Sequence, residues 1–222
     1  MRFRRNTIHC PISYQSIPLS TPIEDVTFIV FDTETTGFNI GAEDRLIEIG
    51  AVPIKGLEVI EEEIFQTYVN PKRQISQEII ELTSITQEKV EKAPEAFQAI
   101  AEFFQYIQMH EGVSLVGHYV SFDCLVFTSE LKRAKVTLKG MEAIDTLDLI
   151  GYLAPSYDIR DLERYSMAFG TRIYERHRAV GDALTTAYLF TELLRLFKSR
   201  GGRTWGELID ATSKNGGEKR PF

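Results

Sequence analysis

The chain alternates between short apolar runs and longer stretches with apolar residues at helical spacing. Val26 to Asp32 (VTFIVFD) is apolar almost to its last residue, the pattern of a strand buried on both faces. Arg45 to Ile54 (RLIEIGAVPI) predicts a second strand and Leu57 to Val69 a third, with Lys55-Gly56 as the turn between them. Strands joined by so short a turn form an antiparallel hairpin. Glu61, Glu62 and Glu63 interrupt the third strand and read as a solvated edge protected by charge.

Helical signals follow. Ser76 to Leu82 predicts a short helix capped by Ser76. Pro94 to His110 carries apolar residues at 96, 97, 100, 103, 104 and 107, a helical spacing opened by a proline suited to a first turn. Val113 to Val116 predicts a strand, Ser121 to Arg133 a helix, and Glu142 to Asp145 the last strand. Arg160 to Phe169 and Ala179 to Lys198 predict helices, the second with Ala183, Ala187, Phe190, Leu194 and Phe197 on one stripe. The order implies an α/β fold: a mixed five-stranded sheet with helices on both faces. The expected organisation is an N-terminal arm (1–25), a catalytic domain (26–198) and a flexible tail (199–222).

Bulk composition changes this little. The chain has 222 residues, 43% hydrophobic and 26% charged, as expected of one globular domain. Net charge is −7 and the pI about 5.2, so no strong basic balance advertises a nucleic-acid surface. Acidic metal ligands count against that total, so the class is not excluded. Cys10 and Cys124 form no disulfide framework or zinc spacing, which fits a reducing, cytoplasmic setting. No run reaches the ~18 apolar residues of a membrane span. The first 23 residues lack acids and contain serines, as transit peptides do, but Pro11, Pro18 and Pro22 oppose an amphipathic helix, and a flexible or strand-like arm is expected.

The candidate chemistry starts where the first strand stops. In FDTETTG, Asp32 and Glu34 point the same way if the strand continues, and Thr33 the other. Two neighbouring carboxylates resist joint ionisation, so a positive partner is expected between them, most simply a divalent cation. Two further stretches join this one: GHYVSFD (Gly117 to Asp123) after a short strand, and HRAVGDA (His177 to Ala183) opening the long helix. His177 and Asp182 are five apart, about 140° around a helix, so His177 is expected in the preceding loop.

Together these stretches resemble the three motifs of the DEDD exonucleases, in the variant whose third motif is His-x-Ala-x-x-Asp. The proofreading epsilon subunit of bacterial DNA polymerase III and RNase T are members. TYVNP (67–71), LTSITQEKV (82–90) and DTLDL (145–149) extend the similarity over residues 26 to 198. The resemblance implies an RNase H-like fold and a metal-dependent 3′–5′ exonuclease releasing 5′-monophosphates. It assigns Asp32, Glu34, Asp123 and Asp182 as ligands of two Mg2+ or Mn2+ ions and His177 as general base. Its partners would be single-stranded DNA or other nucleic-acid 3′ ends, with RNA possible, and a DNA polymerase subunit. The second motif departs from the family: Tyr119 stands where Asn is usual. Arg160, Arg164, Arg172, Arg176 and Arg178 could track a phosphate backbone or form a solvated face. The rival readings are an exoribonuclease of the same fold, a silent nuclease-fold binding module, and an unrelated magnesium phosphohydrolase.

Overall fold

The computed structural model describes residues 6–11, 13–156 and 160–213. Its strands are β1 (Asn6–His9), β2 (Thr27–Thr35), β3 (Leu46–Lys55), β4 (Glu58–Val59), β5 (Phe65–Tyr68), β6 (Val113–Gly117), β7 (Val136–Lys139) and β8 (Ala143–Asp145). Its helices are α1 (Gln77–Thr83), α2 (Gln87–Glu91), α3 (Ala96–Gln108), α4 (Val120–Arg133), α5 (Thr146–Leu153), α6 (Leu162–Phe169), α7 (Ala179–Ser199) and α8 (Trp205–Ser213). The main sheet runs β4-β3-β2-β6-β8, with β5 also paired to β3. The hairpin pairs β2 and β3 antiparallel, whereas β2, β6 and β8 are parallel neighbours. This is the mixed α/β sheet expected from the sequence, with one difference. The third strand is broken, so five expected strands become six.

The break falls on the acidic run, which forms a 3-10 turn (Glu61–Glu63) instead of a charged edge strand. The glutamates are put to use: Glu61 accepts from the Tyr174 and Tyr188 hydroxyls (2.7 and 2.5 Å), and Glu63 pairs with Lys55 (2.6 Å).

Alternation along β2 divides the core into two layers. Phe28 and Val30 pack with Leu147, Phe190 and Trp205 of α5, α7 and α8. Ile29 and Phe31 pack with Phe103 and Phe127 of α3 and α4. A period of two sends successive side chains to opposite faces, so every later residue of β2 inherits one layer or the other.

The expected tail from 199 is a packed element over Trp205–Ser213. Trp205 is fully buried against Phe28, and Leu208 and Ala211 complete the apolar side of α8. Trp205, Leu208 and Ile209 have a helical spacing, but the helix is only nine residues long and follows Gly201-Gly202, which read as the start of a loose tail. The N-terminal arm is likewise integrated. β1 pairs in parallel with β7, and Ile17 and Ile23 are buried. Residues 1–5, 12 and 214–222 of those two segments lie outside the described residues. Among the described residues, no helix is long and apolar enough to cross a membrane.

Candidate active site

The site lies at the carboxyl ends of the parallel strands β2 and β6, where open α/β sheets present their clefts. Asp32 and Glu34 belong to the α7-facing set of β2, and α7 brings Asp182 in its first turn. One carboxylate oxygen from each of Asp32, Glu34 and Asp182 lies within 4.8 Å of the other two. Asp123 comes from α4, on the other layer. Thr33, the β2 residue that faces that layer, donates its hydroxyl to Asp123 Oδ1 at 2.6 Å. The structure thus gathers three of the four expected ligands and holds the fourth beside them on Thr33.

All four carboxyls titrate high. Burial is the largest cause in each case. Asp32 is raised well above the usual carboxylate range by burial and then by the charges of Asp123, Asp182 and Glu34. Glu34 is pushed up to about 8 and Asp123 to about 7, and Asp182 is raised too. One positive group of the chain reaches the cluster: Arg176 Nη1 pairs with Asp182 Oδ1, and its charge acts downward on Asp32 and Glu34. One guanidinium does not balance four carboxyls. Clustered hard oxygens with excess negative charge fit a divalent cation such as Mg2+ or Mn2+.

His177 stands in the loop before α7, as its spacing predicts, with its imidazole exposed and its backbone left-handed (φ 59°). Its N–H donates to Asp182 Oδ2 at 3.2 Å. The loop reaches this position because Gly181 lets the Glu175 carbonyl lie against it, where any Cβ would collide. His118 is structural: Nδ1 lies 2.7 Å from Thr146 Oγ1, and burial pushes its pKa down to about 4. Asp145 caps α5 through Leu147 N–H (2.9 Å) and also accepts from Tyr119 N–H (3.2 Å).

Tyr119 itself is left-handed (φ 57°), a conformation that Asn tolerates far better than Tyr. The backbone thus gives a reason for Asn here that amide chemistry alone did not. Tyr119→Asn is expected to stabilise the protein by up to about 1 kcal/mol. It should change KM and leave the metal requirement alone. Urea unfolding and a metal titration of activity check this, and a shifted metal midpoint with unchanged KM would contradict it.

The arginine cluster is partly spent inside the protein. Arg178 pairs with Glu48, Arg172 lies over the Tyr188 ring beside Glu61, and Arg176 holds Asp182. Sequence reasoning named Arg176 as a possible phosphate contact and not as the partner of Asp182, and it missed Thr33 and Glu48 as parts of the site. Only Glu48 left a signal, as a charged residue within an apolar strand. It also missed Phe38, which is 87% exposed and packs its ring 5.9 Å from Phe122, next to Asp123.

Residues 29–190 match the family described as Exonuclease (RNase_T). Among curated proteins, the chain is 32% identical over 211 residues to the PolC-type DNA polymerase III of Bacillus subtilis (strain 168), and 30% identical over 210 residues to that of Staphylococcus aureus. In each case the alignment covers 95% of this chain but only 14% of the relative. Among solved structures, Exonuclease X in complex with 5′ overhanging duplex DNA superposes with a TM-score of 0.63 at 22% identity, over 83% of this chain and 99% of that one. The nuclease domain of 3′hExo, a DEDDh family member bound to rAMP, gives 0.67 at 20% identity, over 76% and 92%. Those likenesses establish the RNase H-like fold, and the family match covers all three motif stretches. With Asp32, Glu34 and Asp182 gathered in one cluster, Asp123 held by Thr33 and His177 on the loop before α7, the chain belongs to the Exonuclease (RNase_T) family.

Proposed function

We propose that this chain hydrolyses single-stranded DNA from its 3′ end to 5′-monophosphates, with Asp32, Glu34, Asp123 and Asp182 holding two divalent cations and His177 as general base. The observation that carries this reading is the convergence of Asp32, Glu34 and Asp182 within 4.8 Å, with His177 on the adjoining loop. When bound, such ions lower the pKa of water and stabilise charge on the attacking and leaving oxygens.

The chain's own residues supply the rest. Asp123, held by the Thr33 hydroxyl through Oδ1, would complete the ligand set. The exposed His177 imidazole takes the proton of the attacking water on a ring nitrogen. Phe38 and Phe122 offer the terminal base a stacking surface, a contact worth about 1–3 kcal/mol per base in single-strand binders.

DNA is favoured because the curated relatives are DNA polymerases. RNA remains the second substrate reading, supported by the likeness to a 3′-exonuclease that recognises histone mRNA stem-loop. The proposal includes association with DNA polymerase, supported by the same relatives, in which the matching segment is a minor part of a longer chain. The test uses matched labelled single-stranded DNA, duplex DNA and RNA. Hydrolysis should require Mg2+ or Mn2+, proceed from the 3′ end, and stop at a 3′-phosphate. Full activity in EDTA after metal removal, or rapid cutting of circular single-stranded DNA, would overturn the proposal.

A further inference from the structure

We propose that Glu48 is a positioning residue for this reaction: its carboxylate seats the amino end of α7 on β3 and so fixes Asp182 and His177 relative to Asp32 and Glu34. The inference rests on the carboxylate-site reading above and adds the residue that holds the site in register.

Glu48 is fully buried within β3, directly across the antiparallel ladder from Glu34. Its oxygens accept from Gln66 Nε2 (2.5 Å), Arg178 Nε (3.3 Å), Arg178 Nη2 (3.2 Å) and Ala179 N–H (3.0 Å). Ala179 is the first residue of α7, and Arg178, at the cap position, makes no capping hydrogen bond with its own side chain. The cap therefore comes from another element. A carboxylate suits that place because the amino end of a helix leaves unpaired N–H groups and carries positive charge. Arg178 is secured in turn: Nη2 also donates to the Tyr68 hydroxyl (2.7 Å), and the guanidinium lies over that ring.

The seat has no slack. Two residues along β3, a Cβ on Gly50 would collide with the backbone of Ala179 and Val180, so strand and helix touch main chain to main chain. Asp182 follows Ala179 by three residues, less than one turn, and a shift of the helix end moves its carboxylate by nearly the same amount. His177 precedes Ala179 by two residues and moves with it.

A residue kept only for stability would more simply be apolar, since buried ion pairs contribute little over packed hydrocarbon of the same volume. Glu48 stands directly opposite Glu34 on the ladder, where like charges are unfavourable. It is not a metal ligand here, since its oxygens are taken by N–H donors.

The test compares Glu48→Gln and the paired Glu48→Met/Arg178→Met variant with the wild-type protein. The paired change removes both charges together, so the fold is expected to survive. Circular dichroism and thermal melts in EDTA report folding, calorimetry reports Mn2+ binding, and kcat and KM are measured on a single-stranded oligonucleotide. The paired variant should melt cooperatively, bind Mn2+ about tenfold or more weakly, and lose about 10²-fold in kcat with KM little changed. Glu48→Gln keeps an oxygen for Ala179 N–H and should lie between it and wild type. A folded paired variant with wild-type Mn2+ affinity and kcat would overturn the inference, leaving Glu48 a stability residue. If the pair fails to fold, Glu48→Gln decides alone: unchanged Mn2+ affinity and kcat reject the role. Asp182→Asn runs alongside. Should it bind Mn2+ and turn over normally, the carboxylate site itself is wrong, which separates that failure from the failure of Glu48.

Discussion

Asp32→Asn is expected to slow hydrolysis by on the order of 10³-fold or more and, in EDTA, to raise the melting temperature. Both effects come from one group. Asp32 lies in the carboxylate cluster, its pKa raised first by burial and then by the carboxyls of Asp123, Asp182 and Glu34. With cations bound, that charge is needed. Without them it opposes folding. The raised folded-state pKa values mean that the metal-free folded protein binds more protons than the unfolded chain between pH about 4 and the folded values, about 8 for Glu34. Stability supplied by these groups is therefore fully present below pH about 4 and lost as pH rises through that window. Asn is neutral throughout and keeps the shape. Wild type in EDTA should lose melting temperature from pH 5 to pH 8, and Asp32→Asn should lose less. Added Mg2+ should stabilise wild type most at the alkaline end and the variant little at any pH. A variant that melts below wild type in EDTA at pH 8, with a normal Mg2+ response, would show that Asp32 is an ordinary structural carboxylate.

His177→Ala should cost about 10²–10⁴ in rate, the usual range for a general base, while metal binding stays near normal. The carboxylate cluster of Asp32, Glu34 and Asp182 contains no imidazole. The loss should shrink at high pH, where hydroxide replaces the missing base. His177→Asn separates chemistry from backbone, because the left-handed conformation at this position accepts Asn readily. If Ala and Asn variants fail equally and both recover with pH, the missing group is the proton acceptor. If Asn restores activity at neutral pH, the loop conformation is what matters and another group takes the proton. Loss of Mn2+ binding in both would instead make His177 a ligand.

The sequence by itself determined the elements that carry the site. Apolar runs at β2, β3 and β6 and helical stripes at α3 and α7 are strong local signals, because each buries a regular face. Spacing also sufficed for two local facts. Asp32 and Glu34 share a face because strands alternate, and His177 precedes the helix that holds Asp182 because five residues span the wrong angle. Weak or divided signals were not legible. The helix α8 is only nine residues long and follows two glycines, and Glu61 of the acidic turn accepts from hydroxyls more than a hundred residues away.

Only the tertiary structure decided which groups meet. Alternation says that Thr33 opposes Asp32, but not that α4 lies on the Thr33 side and delivers Asp123 to its hydroxyl. Nor does it say that α7 lies on the other side and delivers Asp182 to Asp32 and Glu34. A sequence written along one chain encodes faces and spacing. The pairing of Glu48 with the start of α7, across 131 positions, exists only once the layers are stacked, because burial and charge are properties of neighbours in space.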